Sequence, residues 1–438
     1  MVVNLFLQIY TNFMPQFSNM SRSALIILLI FFFVGICLSC QSQIKEDSQL
    51  VENLMKSRKD MFRQIVDNKD SLEIQIIYTQ INRDEMKRPH FKSFYYNVDS
   101  TKYFYPASTV KLPLVLLSLE KLKQLNINGL DKYTPMFHDS VYSGQLSVRI
   151  DSTSENGLPS IAHYTKKILV VSDNDAFNRL YEFMGQEQTN KILNKKGYGM
   201  RILHRLERPT TPDQNRHTEV VEFIKHDTLI YSQTMLVNRD SIQAPFTILK
   251  GKGYRRNDVL IKKPFNFTYK NFYSLTDQQK LLRALLFPET VKQSLRFDIS
   301  EDDRLFVLKH MSQLPTETLY PPYKKDTTKY DAYGKFLMFG DDKTKIPAGI
   351  RIFNKVGDAY GYLVDNAYII DFDNGVEFML SAVINTNTDG IYNDSKYEYK
   401  TLGYPFMKNL GQLIYDFELK RKKEHKPDLS VFRMRYDQ

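Results

Sequence analysis

Cysteine is nearly missing from this chain of 438 residues. There are two, Cys37 and Cys40, both at the end of one apolar run. The body after Cys40 has none, which excludes a scaffold held by disulfides. Histidine is also sparse, with eight residues in no His-Glu-x-x-His or other ligand spacing, so no metal site is expected. No Gly-x-Ser-x-Gly elbow and no phosphate-binding glycine loop occurs, and no cofactor is implied. Lysine and arginine number 60 against 50 acids, a net charge of +10. The basic residues are scattered rather than gathered on one helix, and no nucleic-acid motif accompanies them. They read as a solvated basic surface, not as a nucleic-acid face. Hydrophobic residues make up 42% of the chain, enough for a sizeable folded core.

The N-terminus carries an address. The apolar run from Ala24 to Leu38 follows Arg22. At about 15 residues it is short for a membrane span and suits a secretory signal. Residues 1–19 precede a second plausible start at Met20. The small residue Ser39 before Cys40 resembles the processing site of a bacterial lipoprotein, although Cys37 stands where a leucine is usual. The resemblance implies lipidation at Cys40, export, and a lipid anchor in the cell envelope as the one membrane contact. Residues 1–40 are thus expected to be an upstream extension and signal, 41–48 a tether, 49–423 the folded domain, and 424–438 a C-terminal tail. The chain is expected to act as a monomer.

Inside the domain, Gln49 to Val66 has helical spacing. Ser71 to Ile81 alternates as a strand, and Lys92 to Val98 looks like its antiparallel partner. Then comes Tyr105-Pro106-Ala107-Ser108-Thr109-Val110-Lys111. From Ser108 the pattern is helical, with Val110, Leu114, Leu117, Leu119 and Leu122 at spacings of three and four, and Pro113 early enough to be tolerated. Ser108 is predicted at a helix N-terminus, where free N–H groups stabilise negative charge. Lys111, three residues on, shares its face. A serine hydroxyl needs a base, and a lysine becomes one when burial or a neighbouring cation lowers its pKa. By itself Ser-x-x-Lys decides nothing: Ser42 to Lys45 and Ser118 to Lys121 repeat it, one in the tether and one on a charged helix.

Two further elements follow. Ser160 to Val171 reads as a helix leading into Ser172-Asp173-Asn174, which a helix end followed by an N-cap would also explain. Gly349 to Phe353 is a strand-like run into Lys355-Val356-Gly357, followed by strands Tyr362 to Phe372 and Val376 to Ile384. The three motifs in this order, in these contexts, form a joint signal.

With these residues the chain resembles the class A β-lactamases and related penicillin-recognising serine hydrolases. The likeness extends through Phe177-Asn178-Arg179-Leu180, Gly185 and Arg205-Leu206-Glu207-Arg208, the last similar to the opening of that family's omega loop. The resemblance implies an acyl-enzyme on Ser108, with Lys111 as base or relay. Ser172, helped by Lys355, would protonate the leaving nitrogen, and Asn174 would hold the substrate amide. The N–H groups of Ser108 and Asp358, beyond Gly357, would form the oxyanion hole. The substrate would be a β-lactam or a related cell-wall amide, drawn in part by the two lysines if it is anionic.

The departures bear on turnover. The family activates its deacylating water with a loop glutamate, and alignment puts Thr210 in that place. Glu207 falls where the family has a structural aspartate, so an ion pair with a nearby arginine is expected. Asp213 is the loop acid left to substitute, and Asn215 matches the asparagine that orients the water. Val356 replaces a hydroxyl residue that helps hold the β-lactam carboxylate; valine donates nothing. Slow deacylation is therefore expected, or a penicillin-binding or peptide-sensing protein that acylates without turnover. Residues 216–272 exceed the family's connection and read as a surface embellishment. The implied fold is α+β: an antiparallel sheet of early and late strands flanked by helices, plus a helical lobe from Ser108 to about Leu193, with the site in the cleft between.

Overall fold

The computed structural model describes residues 49–240 and 247–437. The signal, Cys40 and the tether lie outside them. The chain divides at residue 50 into two units; of the first only residues 49 and 50 are described, both helical, and all that follows concerns the second.

Residues 51–57 are helical and lead to α1 (Lys59–Asp67). Strands β1 (Gln75–Arg83) and β2 (Pro89–Tyr96) form the first hairpin. Next come α2 (Lys111–Leu125), the short strand β3 (Met136–Asp139), and helices α3 (Ile161–Val171), α4 (Asn174–Met184) and α5 (Gln186–Lys196). The long connection holds β4 (Val220–Lys225), β5 (Thr228–Gln233), β6 (Leu249–Lys250), β7 (Gly253–Arg256), β8 (Val259–Ile261) and β9 (Phe265–Asn266). Helices α6 (Leu275–Leu286) and α7 (Glu301–Ser312) precede strands β10 (Ile350–Ala359), β11 (Tyr362–Asp371) and β12 (Val376–Asn385). A two-residue strand, β13 (Ile391–Tyr392), and α8 (Tyr404–Lys420) follow.

The main sheet runs β10-β11-β12-β1-β2, antiparallel throughout. Adjacent residues on a strand face opposite ways, and β1 shows what each face meets. Tyr78 donates its hydroxyl proton to Glu418 of α8 at 2.5 Å, while Thr79 bonds Gln279 of α6 at 2.8 Å. Helices therefore cover both faces, which is why β11 and β12 are buried along their whole length and lack a polar face. Helix α2 is buried all round from Lys111 to Lys121, as a helix at the centre of a lobe must be. The lobe is helical as expected, with one addition: β3 pairs with β4, and β4 with β5, in a small antiparallel sheet at its edge.

Two boundaries need correction. The C-terminal segment is part of the core, not a tail: the Phe432 ring lies 5.0 Å from that of Tyr368 and 5.5 Å from that of Phe353, and Asp437 pairs with Lys309 at 3.1 Å. The long connection is likewise no surface embellishment. Its Phe267 is fully buried, 5.4 Å from Tyr103 and 6.2 Å from Tyr105, and Phe265 packs on Tyr360 at 5.5 Å. It forms an aromatic wall against the segment that delivers Ser108.

Candidate active site

Ser108 is the second residue of a 3-10 turn, Ala107–Val110, that continues into α2. Ala107 has φ +47°, a left-handed conformation that costs a non-glycine residue about 1–2 kcal/mol. The neighbouring strand shows what holds it. A Cβ added to Gly357 would lie 2.7 Å from Pro106 O, 2.7 Å from Ser108 N and 3.0 Å from Ala107 Cβ. Only glycine lets β10 come this close, and the strand edge clamps the turn. Gly357 and its neighbour Asp358 thus stand at the head of the Ser108 turn.

Lys111, in the first turn of α2, is 0% exposed. Its Nζ donates to the Ser172 carbonyl, to Asn174 Oδ1 at 2.6 Å and to Ser172 Oγ at 3.2 Å. Loss of hydration pulls its pKa down to about 7, against the opposing fields of Asp173, Glu207 and Asp358. Lys355 is 3% exposed and donates to Ser172 Oγ at 2.8 Å and to Val356 O at 2.9 Å. Burial, and then the charge of Lys111, lower its pKa well below the usual lysine value. Ser172 Oγ accepts from both lysines, which leaves its own proton to be donated elsewhere.

A junction of two helices presents Ser172 and Asn174. Ser172 ends α3 with φ +62°, and the Asp173 side chain caps α4 by accepting from Ala176 N at 2.8 Å. The capping geometry and the cluster on Lys111 are one arrangement, so the two explanations of Ser-Asp-Asn do not compete. Of the residues expected at the site, Lys111, Ser172, Asn174 and Lys355 share one hydrogen-bonded cluster, Ser172, Lys355 and Asp358 line one cavity, and Gly357 abuts the Ser108 turn. Asp358 keeps exposed surface there, yet the enclosure of the cleft raises its pKa against the pull of Lys355 and Lys111.

The loop after α5 differs from expectation. Arg205 is buried in a bidentate pair with Glu182 (2.6 and 2.8 Å) and also donates to Gln214 O and His217 O. Asn178 clamps the loop backbone, accepting from Leu206 N at 2.9 Å and donating to Leu206 O at 3.0 Å. Glu207 follows with φ +51° and is exposed. The arginine pair expected for it is not formed: Arg205 is held by Glu182, and Arg208 faces Glu219 at 3.5 Å. Instead, the field of the Glu207 carboxylate acts on both Lys111 and Asp358. The Asp213 carboxylate is engaged elsewhere, accepting from the Tyr142 hydroxyl at 2.5 Å. Asn215 is turned inward, its Oδ1 accepting from Arg205 N at 3.1 Å and Thr210 Oγ1 at 3.0 Å. Thr210 and Asn215 therefore satisfy each other within the loop. The signal for Glu207 lay in its place directly after a clamped residue, which needs the fold to be seen.

Beneath β10 lies a polar cluster that the sequence did not announce. Lys335, 3% exposed, donates to Met311 O (2.7 Å), Ile352 O (2.9 Å) and Asn354 Oδ1 (2.8 Å). Asn354 Nδ2 donates to Asp365 Oδ1 at 2.9 Å, and Asp365 Oδ2 accepts from Leu337 N at 3.0 Å. Each polar group is paired, as burial requires.

Residues 57–293 match the model of the Beta-lactamase enzyme family. The match covers more than half of the chain, and the chain belongs to that family; with its fold it is a member of the penicillin-recognising serine hydrolases. Ser108 and Ser172-Asp173-Asn174 lie inside the matched span and Lys355 beyond it. Among solved structures, the chain is similar to a β-lactamase from Xanthomonas campestris pv. campestris at 13% identity, covering 84% of this chain and 98% of that one, TM-score 0.45. It is similar to a β-lactamase from Chitinophaga pinensis at 10% identity, covering 85% and 99%, TM-score 0.47. A mutant of PBP-A, solved as its acyl-enzyme complex with penicillin G, is similar at 14% identity, covering 84% and 96%, TM-score 0.44. No curated protein matches.

Proposed function

We propose that the protein is an acyl-enzyme hydrolase of β-lactams or related cell-wall amides, with Ser108 as nucleophile. The observation that carries this reading is the convergence of Lys111, Ser172, Asn174 and Lys355 in one hydrogen-bonded cluster beside the Ser108 turn. Neutral Lys111 takes the Ser108 proton as Oγ attacks the carbonyl. The oxyanion meets the N–H groups of Ser108 and Asp358, each such donor being worth roughly 3–4 kcal/mol. Ser172 then gives its proton to the departing nitrogen and is resupplied through the lysines that bond its Oγ. Asn174 orients the substrate amide.

Release of the acyl group needs a base for water. Glu207 is the loop acid that supports this role, by the field it exerts on Lys111. The second reading, a protein that acylates and stays acylated, is favoured by the inward-turned Thr210 and Asn215. A chromogenic cephalosporin and a fluorescent penicillin separate the two. Sustained colour that Glu207→Gln stops, leaving a labelled Ser108, supports the hydrolase; one stoichiometric label in the unaltered protein supports the second reading. An unlabelled Ser108 overturns the second reading and removes β-lactams from the first. Cys40 is proposed to carry the lipid that holds the protein to the cell envelope. Metabolic labelling with a clickable fatty acid, lost in Cys40→Ala, checks this.

A further inference from the structure

The long connection has a second, outward face. While Phe265 and Phe267 pack inward, β7 and β8 form a hairpin whose residues 255–260 are all exposed. Its turn residues, Asn257 and Asp258, have φ +47° and +61°, the left-handed pair of a two-residue hairpin turn, so the tip is pre-shaped. Arg256 pairs with Val259 and Arg255 with Leu260 across the strands, and alternation sends the two pairs to opposite faces. Each face of the tip therefore carries one cation and one apolar side chain. Val259 is 64% exposed and Leu260 42%.

The charge here is one-sided. Lys252, Arg255, Arg256, Lys262 and Lys263 are exposed and form no ion pair among the described residues, whereas Lys250 beside them is paired with Glu73. Asp258 is the one acid between residues 250 and 263. Two further acids, Asp389 and Asp394, flank β13, which lies on the other side of β7 from β8. Each is turned into its own loop, accepting from Ile391 N at 2.8 Å and from Lys396 N at 3.0 Å. A cationic surface suits any polyanion. Exposed aliphatic side chains gain nothing from a dissolved polyanion, but they gain where lipid headgroups give way to acyl chains.

We propose that the β7–β8 hairpin docks on an anionic phospholipid bilayer, its cations meeting the phosphate headgroups while Val259 and Leu260 enter the interface. The hairpin adds a second membrane contact to the lipid proposed at Cys40, where one was expected from the sequence. A basic patch beside a lipid chain is a pairing that holds a protein to a membrane. Docking also places the cleft. Tyr254 packs on Phe265 at 5.3 Å and Phe265 on Tyr360 at 5.5 Å, two residues past Asp358, so the Asp358 end is held near the bilayer. None of this depends on chemistry at Ser108.

Residues 41–438 keep every described element and carry no lipid, so they test the hairpin alone. The protein is mixed with vesicles of phosphatidylglycerol and phosphatidylcholine in equal parts, or of phosphatidylcholine only, and bound protein is read by co-flotation. Binding is expected on the anionic vesicles, about tenfold or more weaker on the neutral ones, and falling as salt rises. A cation near such a surface contributes about fivefold. Arg255→Gln, Arg256→Gln, Lys262→Gln and Lys263→Gln together are therefore expected to weaken binding on the order of 100-fold. Val259→Ser with Leu260→Ser is expected to weaken it about tenfold and to leave retention on heparin, a soluble polyanion, unchanged. The salt dependence of the unaltered protein reads the same contact without any substitution. Equal binding to both vesicles, no binding to the anionic ones, or binding indifferent to salt or to the four glutamines overturns the proposal. Serine variants that bind anionic vesicles as tightly as the native protein also overturn it, and make the hairpin a site for a dissolved polyanion.

Discussion

Helix α2 carries the same four-residue pattern twice, Ser108 to Lys111 at its head and Ser118 to Lys121 ten residues along. Both lysines are buried, and desolvation lowers both pKa values, to about 7 for Lys111 and about 8 for Lys121. Neither the pattern nor the burial tells them apart. Their partners do. Lys121 bonds the Phe183 carbonyl and Gln233 Oε1 at 2.5 Å each, and Ser118 Oγ donates back to Leu114 O at 2.8 Å. That pair is closed on itself inside the lobe. Lys111 faces Ser172 and Asn174 at the cleft, and Ser108 stands ahead of the helix proper, where β10 passes close. A perturbed lysine marks a reactive site only where a cavity and further titratable groups meet it.

The largest expected contrast is covalent. Ser108→Ala is expected to abolish labelling by fluorescent penicillin, and Ser118→Ala to leave it intact, both read by mass of the labelled protein. Labelling that survives Ser108→Ala, or moves to Ser118, breaks the comparison. Next, Gly357→Ala drives a methyl group into Ser108 N and Pro106 O. A displacement of the nucleophile by about an ångström costs on the order of 10²-fold in acylation, measured against unaltered labelling of the native protein.

The pH dependence sharpens the same contrast. Lys111 acts as a base when neutral, so acylation is expected to rise with pH up to about 7 and to level off above it. Lys121→Met is expected to leave that profile in place; a profile that shifts with Lys121 would merge the two sites. The smallest effect concerns stability. With the folded pKa of Lys121 lowered to about 8, the unfolded chain binds more protons than the folded one between about 8 and the ordinary lysine value. The contribution to stability therefore rises with pH through that window. Lys121→Met is expected to remove this rise in thermal midpoint, while leaving Gln233 Oε1 short of a donor at about 1–3 kcal/mol.

Local pattern made much of the architecture legible. The alternation before residue 81 and after Gly349 gave strands, and the apolar spacing after Ser108 gave α2, to within a few residues of their ends. Ser172-Asp173-Asn174 was visible because a helix must stop and another start there, and the residues that do this are few. What stayed hidden depends on contacts distant in sequence. Phe432 reads as a terminal residue until the rings of Phe353 and Tyr368 are beside it. Phe265 and Phe267 sit in a stretch of turns, and only packing on Tyr105 and Tyr360 makes them a wall. Glu207 was expected to pair with a nearby arginine because it stands where the family has a structural aspartate, but Arg205 and Arg208 are taken by acids on other segments.

The amino-acid order by itself determined the helix that follows Ser108 and the helix junction that presents Ser172 and Asn174, because each follows from local periodicity, capping and spacing, and its motifs carried the family likeness. Tertiary structure alone decided which of the two Ser-x-x-Lys pairs meets Ser172 and Asn174, and that both arginines near Glu207 are taken by other acids. Those are questions of desolvation and of partners brought together from distant segments, and a pKa or a repulsion exists only once those segments have met.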